Sequence, residues 1–410
     1  MGPLKSSQSR LKIVHLDHTG HAGGAELALK RTVSSQQFWD AVIITPQPAT
    51  LDPDVYSSGI ASHVSVKRVG RSQSFGVSTN RGGIQGILIL LRDVLLQALL
   101  IRCSSEFREA HLVHANTSRA ALYGSLAVLF TKKKLVVHLR DMVNAESVGS
   151  AGFWAFKNLI LKRADGLIGN SEVTLKSALV HMPRRTIQST VIPSPIGKSQ
   201  PLPQLQNAWT TTTPAKLRVG MVARIDPWKG QELLLRAFAS RFKGLPVELL
   251  FAGAPAFGHG EYLSNLRVLA NELGVNDQVC FLGHLEEVQT FIDSLDVCVQ
   301  SSIRPEPLGQ NVLQYLAAGR AAVVANEGGP LEWVVHRQNG LLFEARSEIS
   351  LADALQELVE NDELRSVLGE AAAVTPGLMD DSAVAKKHFQ FFQRILAHDK
   401  WGSRTPVELR

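Results

Sequence analysis

Short apolar runs of strand length alternate with stretches of helical period along almost the whole chain. Leu11–Leu16, Ala110–Ala115, Lys134–Leu139, Gly166–Asn170 and Thr190–Pro193 read as a first set of strands. Leu217–Val222, Glu248–Gly253, Gln278–Gly283, Asp296–Gln300 and Ala321–Ala325 read as a second set. Helical spacing follows in Ser118–Thr131, Gln231–Ser240, Tyr262–Leu273, Leu351–Val359, Glu363–Ala373 and Ala383–His398, and Ser171 is placed to cap a further helix. Strand, helix, strand repeated in two similar halves predicts an α/β protein with two doubly wound parallel sheets facing a cleft. Residues 196–216 carry three prolines and a threonine run and read as a linker. The expected division is therefore 1–195, the linker 196–216, 217–382, and a last helix and tail over 383–410.

Composition changes this picture little. A chain of 410 residues with 45% hydrophobic and 20% charged side chains suits two ordinary α/β domains. Three cysteines without metal spacing read as reduced thiols, and the amino terminus has no apolar run, so a cytoplasmic protein is expected. A net charge of +6 favours anionic partners. No recognition helix, zinc spacing or aromatic sheet signature accompanies the charge, so nucleic acid is not expected. Ile84–Ile101 is the most apolar stretch, but Arg92 and Asp93 at its centre make a membrane span costly. It reads as a buried or semi-buried helix. The alternative is an apolar face on the inner surface of a membrane, helped by Lys67, Arg68, Arg71 and Arg81.

The most informative stretch is Ser301–Glu332. Pro305 and Pro307 forbid helix until about Leu308, which holds Glu306 in an extended turn just before a helix bearing Val312, Leu313 and Leu316. Gly309 would let another molecule approach the backbone, and Gly328-Gly329 make a second open turn. The first amides of the helix suit hydroxyl or phosphate oxygens. Three other strand ends carry chemistry. Asp17 to Gly24 joins a strand to a helix through glycines spaced G-x-x-G-G, neither a dinucleotide fingerprint nor a P-loop. His138 ends a strand and is followed by Arg140 and Asp141; it is either a ligand contact or a histidine that merely caps the strand. Arg224 and Lys229 flank a strand-to-helix turn, where two cations can meet one diphosphate. His15, His18 and His21, and His111 with His114, invite a metal reading, but a strand and a glycine loop need not bring them to one face. Asp52-Pro53-Asp54 reads as a plain loop.

Taken together, Glu306-Pro307-Leu308-Gly309, the Arg224…Lys229-Gly230 turn and the Gly23-Gly24-Ala25-Glu26 loop resemble the retaining, nucleotide-sugar-dependent glycosyltransferases of family 4. The resemblance covers nearly the whole chain, most strongly Leu217–Phe343, and implies the GT-B fold of two Rossmann-like domains. It implies that Glu306 holds sugar hydroxyls near the reacting carbon, and that Arg224 and Lys229 neutralise the departing diphosphate. It places Gly23 and Gly24 opposite the diphosphate, His138 near the transferred sugar, and the backbone around Gly283 near the nucleotide base. Pro307, Leu308, Gly309 and Gln310 complete the donor loop. The family pattern has a second glutamate seven residues after the first; here that position is Gln314, which can still hydrogen-bond a ribose diol without charge assistance. Arg140 and Asp141 would line the acceptor side.

The implied activity is transfer of a sugar from a nucleoside diphosphate sugar to an acceptor hydroxyl on a sugar, a lipid-linked glycan or a metabolite, with no metal and no cofactor. Two readings compete: a nucleotide-sugar epimerase of the same fold, and a non-catalytic nucleotide-sugar-binding or assembly protein, which Gln314 makes thinkable. A dehydrogenase is disfavoured because no G-x-G-x-x-G follows a strand. Base, sugar, acceptor and oligomeric state are not written in the sequence.

Overall fold

Apolar strands too short to bury both faces alone must pair, and in this chain they pair in two separate sheets. A computed structural model describes residues 10–21, 23–47, 54–71, 84–182, 187–197, 216–255 and 260–397. The middle of the expected linker (198–215), Ala22, Asp52-Pro53, Arg81 and the tail lie outside the described residues, as do the side chain of Arg71 and those of residues 84–90. The chain divides into two units, Met1–Pro195 with Met379–Arg410, and Ile196–Leu378.

The first unit runs β1 (Lys12–Leu16), α1 (Gly24–Ser34), β2 (Asp40–Gln47), β3 (Ser65–Arg71), α2 (Ile84–Cys103), α3 (Ser105–Glu109), β4 (Leu112–Ala115), α4 (Ser118–Ala127), β5 (Lys134–Leu139) and α5 (Ala145–Ala155). A π-helical turn, Phe156–Ile160, leads to α6 (Leu161–Arg163), β6 (Gly166–Gly169), α7 (Glu172–Leu179) and β7 (Gln188–Val191). The strand order is β3-β2-β1-β4-β5-β6-β7, with every pairing parallel. Alternate strand residues feed two cores: Val14, Val113 and Leu135 on one face, Ile13, Leu112 and Val136 on the other. The order reverses between β1 and β4, so the loops after these two strands diverge and leave a crevice at their carboxyl ends.

The second unit runs β8 (Leu217–Val222), α8 (Gln231–Phe242), β9 (Val247–Ala252), α9 (Gly260–Leu273), β10 (Val279–Gly283), α10 (Val288–Asp293), β11 (Val297–Gln300), α11 (Gln310–Ala317) and β12 (Ala321–Ala325). It closes with β13 (Leu341–Phe343), α12 (Glu348–Glu360) and α13 (Asp362–Ala373). Its order, β10-β9-β8-β11-β12-β13, reverses between β8 and β11. The last helix, α14 (Asp381–Ala397), belongs to the first unit, where Phe391, Phe392 and Ile395 pack with Ile13, Leu112 and Val136.

Sequence pattern did not mark β2, β3, β13 or α5. β2 and β3 lack a flanking glycine turn, and β13 is three residues long and gains its strand character only from pairing with β12. Among the described residues no helix is long and apolar enough to cross a membrane. In α2 one face is buried, through Val94, Gln97, Ala98 and Ile101, while Leu91, Leu95, Leu96, Leu99 and Leu100 are exposed. The upstream cations expected to assist a membrane contact are engaged otherwise: Lys67 pairs with Glu106, and Arg68 with Asp54.

Candidate functional site

In the second unit the loops after the two switch-point strands are fastened to each other. Asp226 caps a single 3-10 turn, Pro227–Lys229, by accepting from the Trp228 amide, and Gly230 ends it in the left-handed region at φ 77°. A Cβ at Gly230 would stand 1.9 Å from the Ser301 carbonyl oxygen, so only glycine lets the loops meet. The Ser301 hydroxyl donates to the Gly230 carbonyl at 3.0 Å, and the Ile303 amide to the Trp228 carbonyl at 2.9 Å. This zipper brings the Lys229 ammonium to 2.6 Å from Glu306 Oε1, which also accepts from the Ser302 hydroxyl at 2.6 Å. The same ammonium lies 3.8 Å from the centre of the Trp228 ring. Glu306 is 6% exposed, so its charge is held by partners rather than by water.

The other expected residues take definite places around this pair. Arg224 follows β8, half-buried, and its carbonyl accepts from the Gln231 side chain at 2.7 Å. Gly283, at φ 72°, ends β10, and its carbonyl accepts from the Gly253 amide at 2.8 Å. Pro307, Leu308 and Gly309 lead from Glu306 into α11, whose positive end therefore lies directly after the carboxylate. Gln310 and Gln314 are half-buried, one helical turn apart on α11. Two expectations are corrected. The side of Gly309 where a Cβ would stand is filled by Pro330 at 2.7 Å, so no second molecule approaches there. Gly328-Gly329 is a closed turn: the Gly329 amide donates to the Glu306 carbonyl at 2.8 Å, and a Cβ at Gly328 would lie 2.6 Å from that same oxygen. Both glycines serve loop-on-loop packing that fixes the Glu306 backbone.

The first unit gathers a buried polar group at its own switch point. Asp17, directly after β1, accepts from the Tyr56 hydroxyl at 2.7 Å, the Asn116 amide at 2.8 Å and the His18 backbone N–H at 2.7 Å. Asn116, directly after β4, accepts from Arg140 at 2.8 Å, and Arg140 also donates to the Ser194 hydroxyl at 3.1 Å. Burial pulls the Arg140 guanidinium down to about 10, still cationic at neutral pH. Glu26 lies over Gly23, where a Cβ would come within 2.4 Å of its Oε2. Burial first, and the neighbouring Asp17 charge second, raise the Glu26 carboxyl well above its ordinary value. Gly24 is the first residue of α1, and Asp141 is exposed. Asn116 and Tyr56 were not singled out from the sequence, and Asp17 and Glu26 were named there only as ends of the Asp17 to Gly24 turn and the Gly23-Gly24-Ala25-Glu26 loop, with no role of their own. The signal available was their position, two of them immediately after the strands where the order reverses.

His138 is not beside an open site. Its ring is 1% exposed and packs against His114 at 5.6 Å and His388 of α14 at 5.4 Å between centroids. Alternation along β5 turns it onto the face that α14 covers, so the expected contact with a transferred sugar gives way to packing.

Among the described residues two groups bring possible metal ligands within 4.8 Å of one another: His114 with His138 and His388, and Asp17 with His18 and Glu26. The hydrogen bonds oppose a cation in the first. Trp39 Nε1 donates to His15 Nε2 at 3.0 Å, so neutral His15 carries its proton on Nδ1 and donates to His114 Nδ1 at 2.9 Å. His114 then holds its own proton on Nε2, the nitrogen a cation would need. In the second group Asp17 already accepts three hydrogen bonds and the Arg140 charge is close by.

Known proteins resemble this chain in its fold and in its second unit. Residues 211–375 match the family model described as Glycosyl transferases group 1. The lipopolysaccharide core biosynthesis glycosyltransferase LpsE of Rhizobium meliloti is 34% identical over 159 residues, 38% of this chain and 44% of LpsE. The chain spans less than half the length of the curated relatives it matches. Among solved structures, Anabaena HepE in complex with UDP and glucose superposes with a TM-score of 0.73 at 23% identity, over 93% of this chain and 99% of HepE. Sucrose-phosphate synthase of Thermosynechococcus elongatus gives 0.77 at 20% identity, over 95% of this chain and 100% of that one. The chain thus has the GT-B fold, two Rossmann-like parallel-sheet units, and its second unit matches the group 1 glycosyl transferases.

Proposed function

We propose that this protein transfers a sugar from a nucleoside diphosphate sugar to an acceptor hydroxyl, with retention at the anomeric carbon. The observation that carries the reading is the Lys229–Glu306 pair, held by two interlocked loops at the switch point of the second sheet and followed at once by the positive end of α11. Departure of a diphosphate gathers negative charge on the bridging oxygen. Lys229, Arg224 and the first amides of α11 are the groups that would stabilise it, in the place a metal takes elsewhere. Glu306 would accept from hydroxyls of the transferred sugar, and Gln314 and Gln310 would hydrogen-bond the ribose. The Glu306 carboxylate is taken up by Lys229 and the Ser302 hydroxyl, and it is assigned no nucleophilic role. Retention would then follow if the leaving phosphate takes the acceptor proton on the face it departs from.

In the first unit, Arg140 and the Asp17–Glu26 group would face the acceptor half of the reaction, with His138 a support of the strand end. The naming of LpsE for lipopolysaccharide core biosynthesis favours a glycan or glycolipid acceptor, and the UDP bound to HepE makes uridine diphosphate sugars the first donors to try. The test is a screen of uridine, guanosine and adenosine diphosphate sugars by thermal shift, followed by radiolabelled transfer with the best binder in the presence of EDTA. Transfer that persists in EDTA and gives an α-linked product from an α-linked donor is expected. Loss of transfer restored by manganese would remove the metal-free reading. Free epimerised donor would point instead to an epimerase, and binding without transfer or hydrolysis to a non-catalytic protein.

A further inference from the structure

Helix α2 presents leucines where a helix on a protein surface presents polar side chains. Its buried face is Val94, Gln97, Ala98 and Ile101, packed toward the sheet and α4. On the opposite arc Leu91, Leu95 and Leu99 succeed one another at one-turn intervals, flanked by Leu96 and Leu100. Leu95 is 57% exposed and Leu99 56%. The apolar surface continues past the end of the helix. Arg102 donates to the Leu129 carbonyl at 2.5 Å, fastening the turn after α4 to the last turn of α2. The next residue, Phe130, adopts φ 59°, a left-handed conformation that costs a non-glycine residue energy, and its ring is 98% exposed. A contiguous exposed apolar surface of this kind marks a contact with something else.

Charge selects the partner. Between residues 91 and 163, leaving out the buried Arg140, ten lysines and arginines stand against five aspartates and glutamates, a net of +5. Arg92 stands in the middle of the leucine arc with its side chain 72% exposed, paired with the neighbouring Asp93 at 2.8 Å, and Lys132 is exposed two residues after Phe130. Two copies meeting through this face would bring like charges together. An anionic lipid surface would neutralise them while the leucines and Phe130 enter the acyl boundary. No described helix is suited to crossing a membrane, so the contact is with the surface.

We infer that α2 and the Leu129-Phe130 turn form a docking face for an anionic phospholipid bilayer. The inference is independent of the chemistry proposed above, because its test reads no sugar transfer. The full chain is floated with vesicles of phosphatidylcholine alone or mixed with phosphatidylglycerol, at low and high salt. It should float with the mixed vesicles and not with phosphatidylcholine alone, and high salt should weaken the association. Leu95→Glu combined with Leu99→Glu should lower the affinity by about tenfold or more with the melting temperature unchanged, since both side chains lie in solvent. Phe130→Ser, at a turn outside the core, should also weaken binding and serves should the double variant fail to fold. Wild-type protein that ignores the mixed vesicles overturns the inference, as does wild-type affinity in folded variants. A wild-type dimer that these substitutions dissolve, without vesicle binding, would make the face an interface between copies instead.

Discussion

Lys229 and Glu306 are 77 residues apart in sequence, yet Nζ and Oε1 lie 2.6 Å apart. The contact exists because β8 and β11 are neighbours in the sheet and the loops that follow them lock together through Ser301, Gly230 and Ile303. In the free protein each charge satisfies the other. A bound diphosphate would compete for the ammonium, and a sugar hydroxyl would then take its place on the carboxylate, which the Ser302 hydroxyl keeps in position.

Removal of Lys229 therefore has two effects. Lys229→Ala should reduce transfer by about 100-fold or more. It should also destabilise the second unit by about 3 kcal/mol, because Glu306 is left buried without its cation. Adding Glu306→Gln to Lys229→Met should restore most of the stability and none of the transfer. Urea melts beside a transfer assay check both, and near-normal transfer in the single variant would remove Lys229 from the diphosphate.

Gln314 occupies the position where the family pattern has an acid. If it faces the ribose, Gln314→Glu should tighten binding of a nucleoside diphosphate by about tenfold through a charge-assisted hydrogen bond. Isothermal titration with the diphosphate gives the answer, and an unchanged dissociation constant means the side chain points elsewhere.

Burial first and Asp17 second raise the Glu26 carboxyl well above its ordinary value of 4.5. Above pH 4.5 the unfolded chain loses this proton while the folded one keeps it. The stability contributed by the protonated carboxyl is thus whole below 4.5 and declines with rising pH until the folded pKa is passed, by up to about 1.4 kcal/mol per pH unit. Glu26→Gln keeps a neutral group of the same shape. Its melting temperature should exceed that of the wild type at neutral and alkaline pH and approach it in mild acid; parallel curves across that range would place the Glu26 proton in bulk solvent.

The buried histidines act in the other direction. Burial lowers His15 to about 3 and His388 to about 4, and drives His114 and His138 well below their ordinary value of 6.5. Above 6.5 all four are neutral whether folded or not. Below it the unfolded chain takes up protons that the folded one refuses, so stability should fall as pH drops from 6.5 toward about 4. His138→Leu should remove about one proton from that dependence, measured as the slope of unfolding free energy against pH. An unaltered slope would mean that His138 titrates normally.

Much of the fold was legible because its signals are local. The strand Lys134–Leu139 and the helix after Ser171 announce themselves by apolar runs, period and a capping hydroxyl that does accept from the Thr174 amide. The turns that carry Lys229 and Glu306 in the second unit were legible for the same reason. Two prolines around Glu306 and a glycine after Lys229 dictate turns in their own few residues, wherever those turns are carried.

What folding alone decided is which distant residues meet and what each faces. Gly309 and Gly328 read as openings, yet Pro330 and the Glu306 backbone fill the space beside them. His138 read as a ligand contact, but a helix from the far end of the chain closes over it with His388. The stretch Ile84–Ile101 read as a buried or semi-buried helix without saying which side; in its described part Val94, Ala98 and Ile101 turn inward and Leu91, Leu95 and Leu99 do not, since a helix against a sheet buries one side. A residue's own neighbours in sequence fix its backbone; its burial and its partners depend on strand order, which the chain settles only when the sheets assemble.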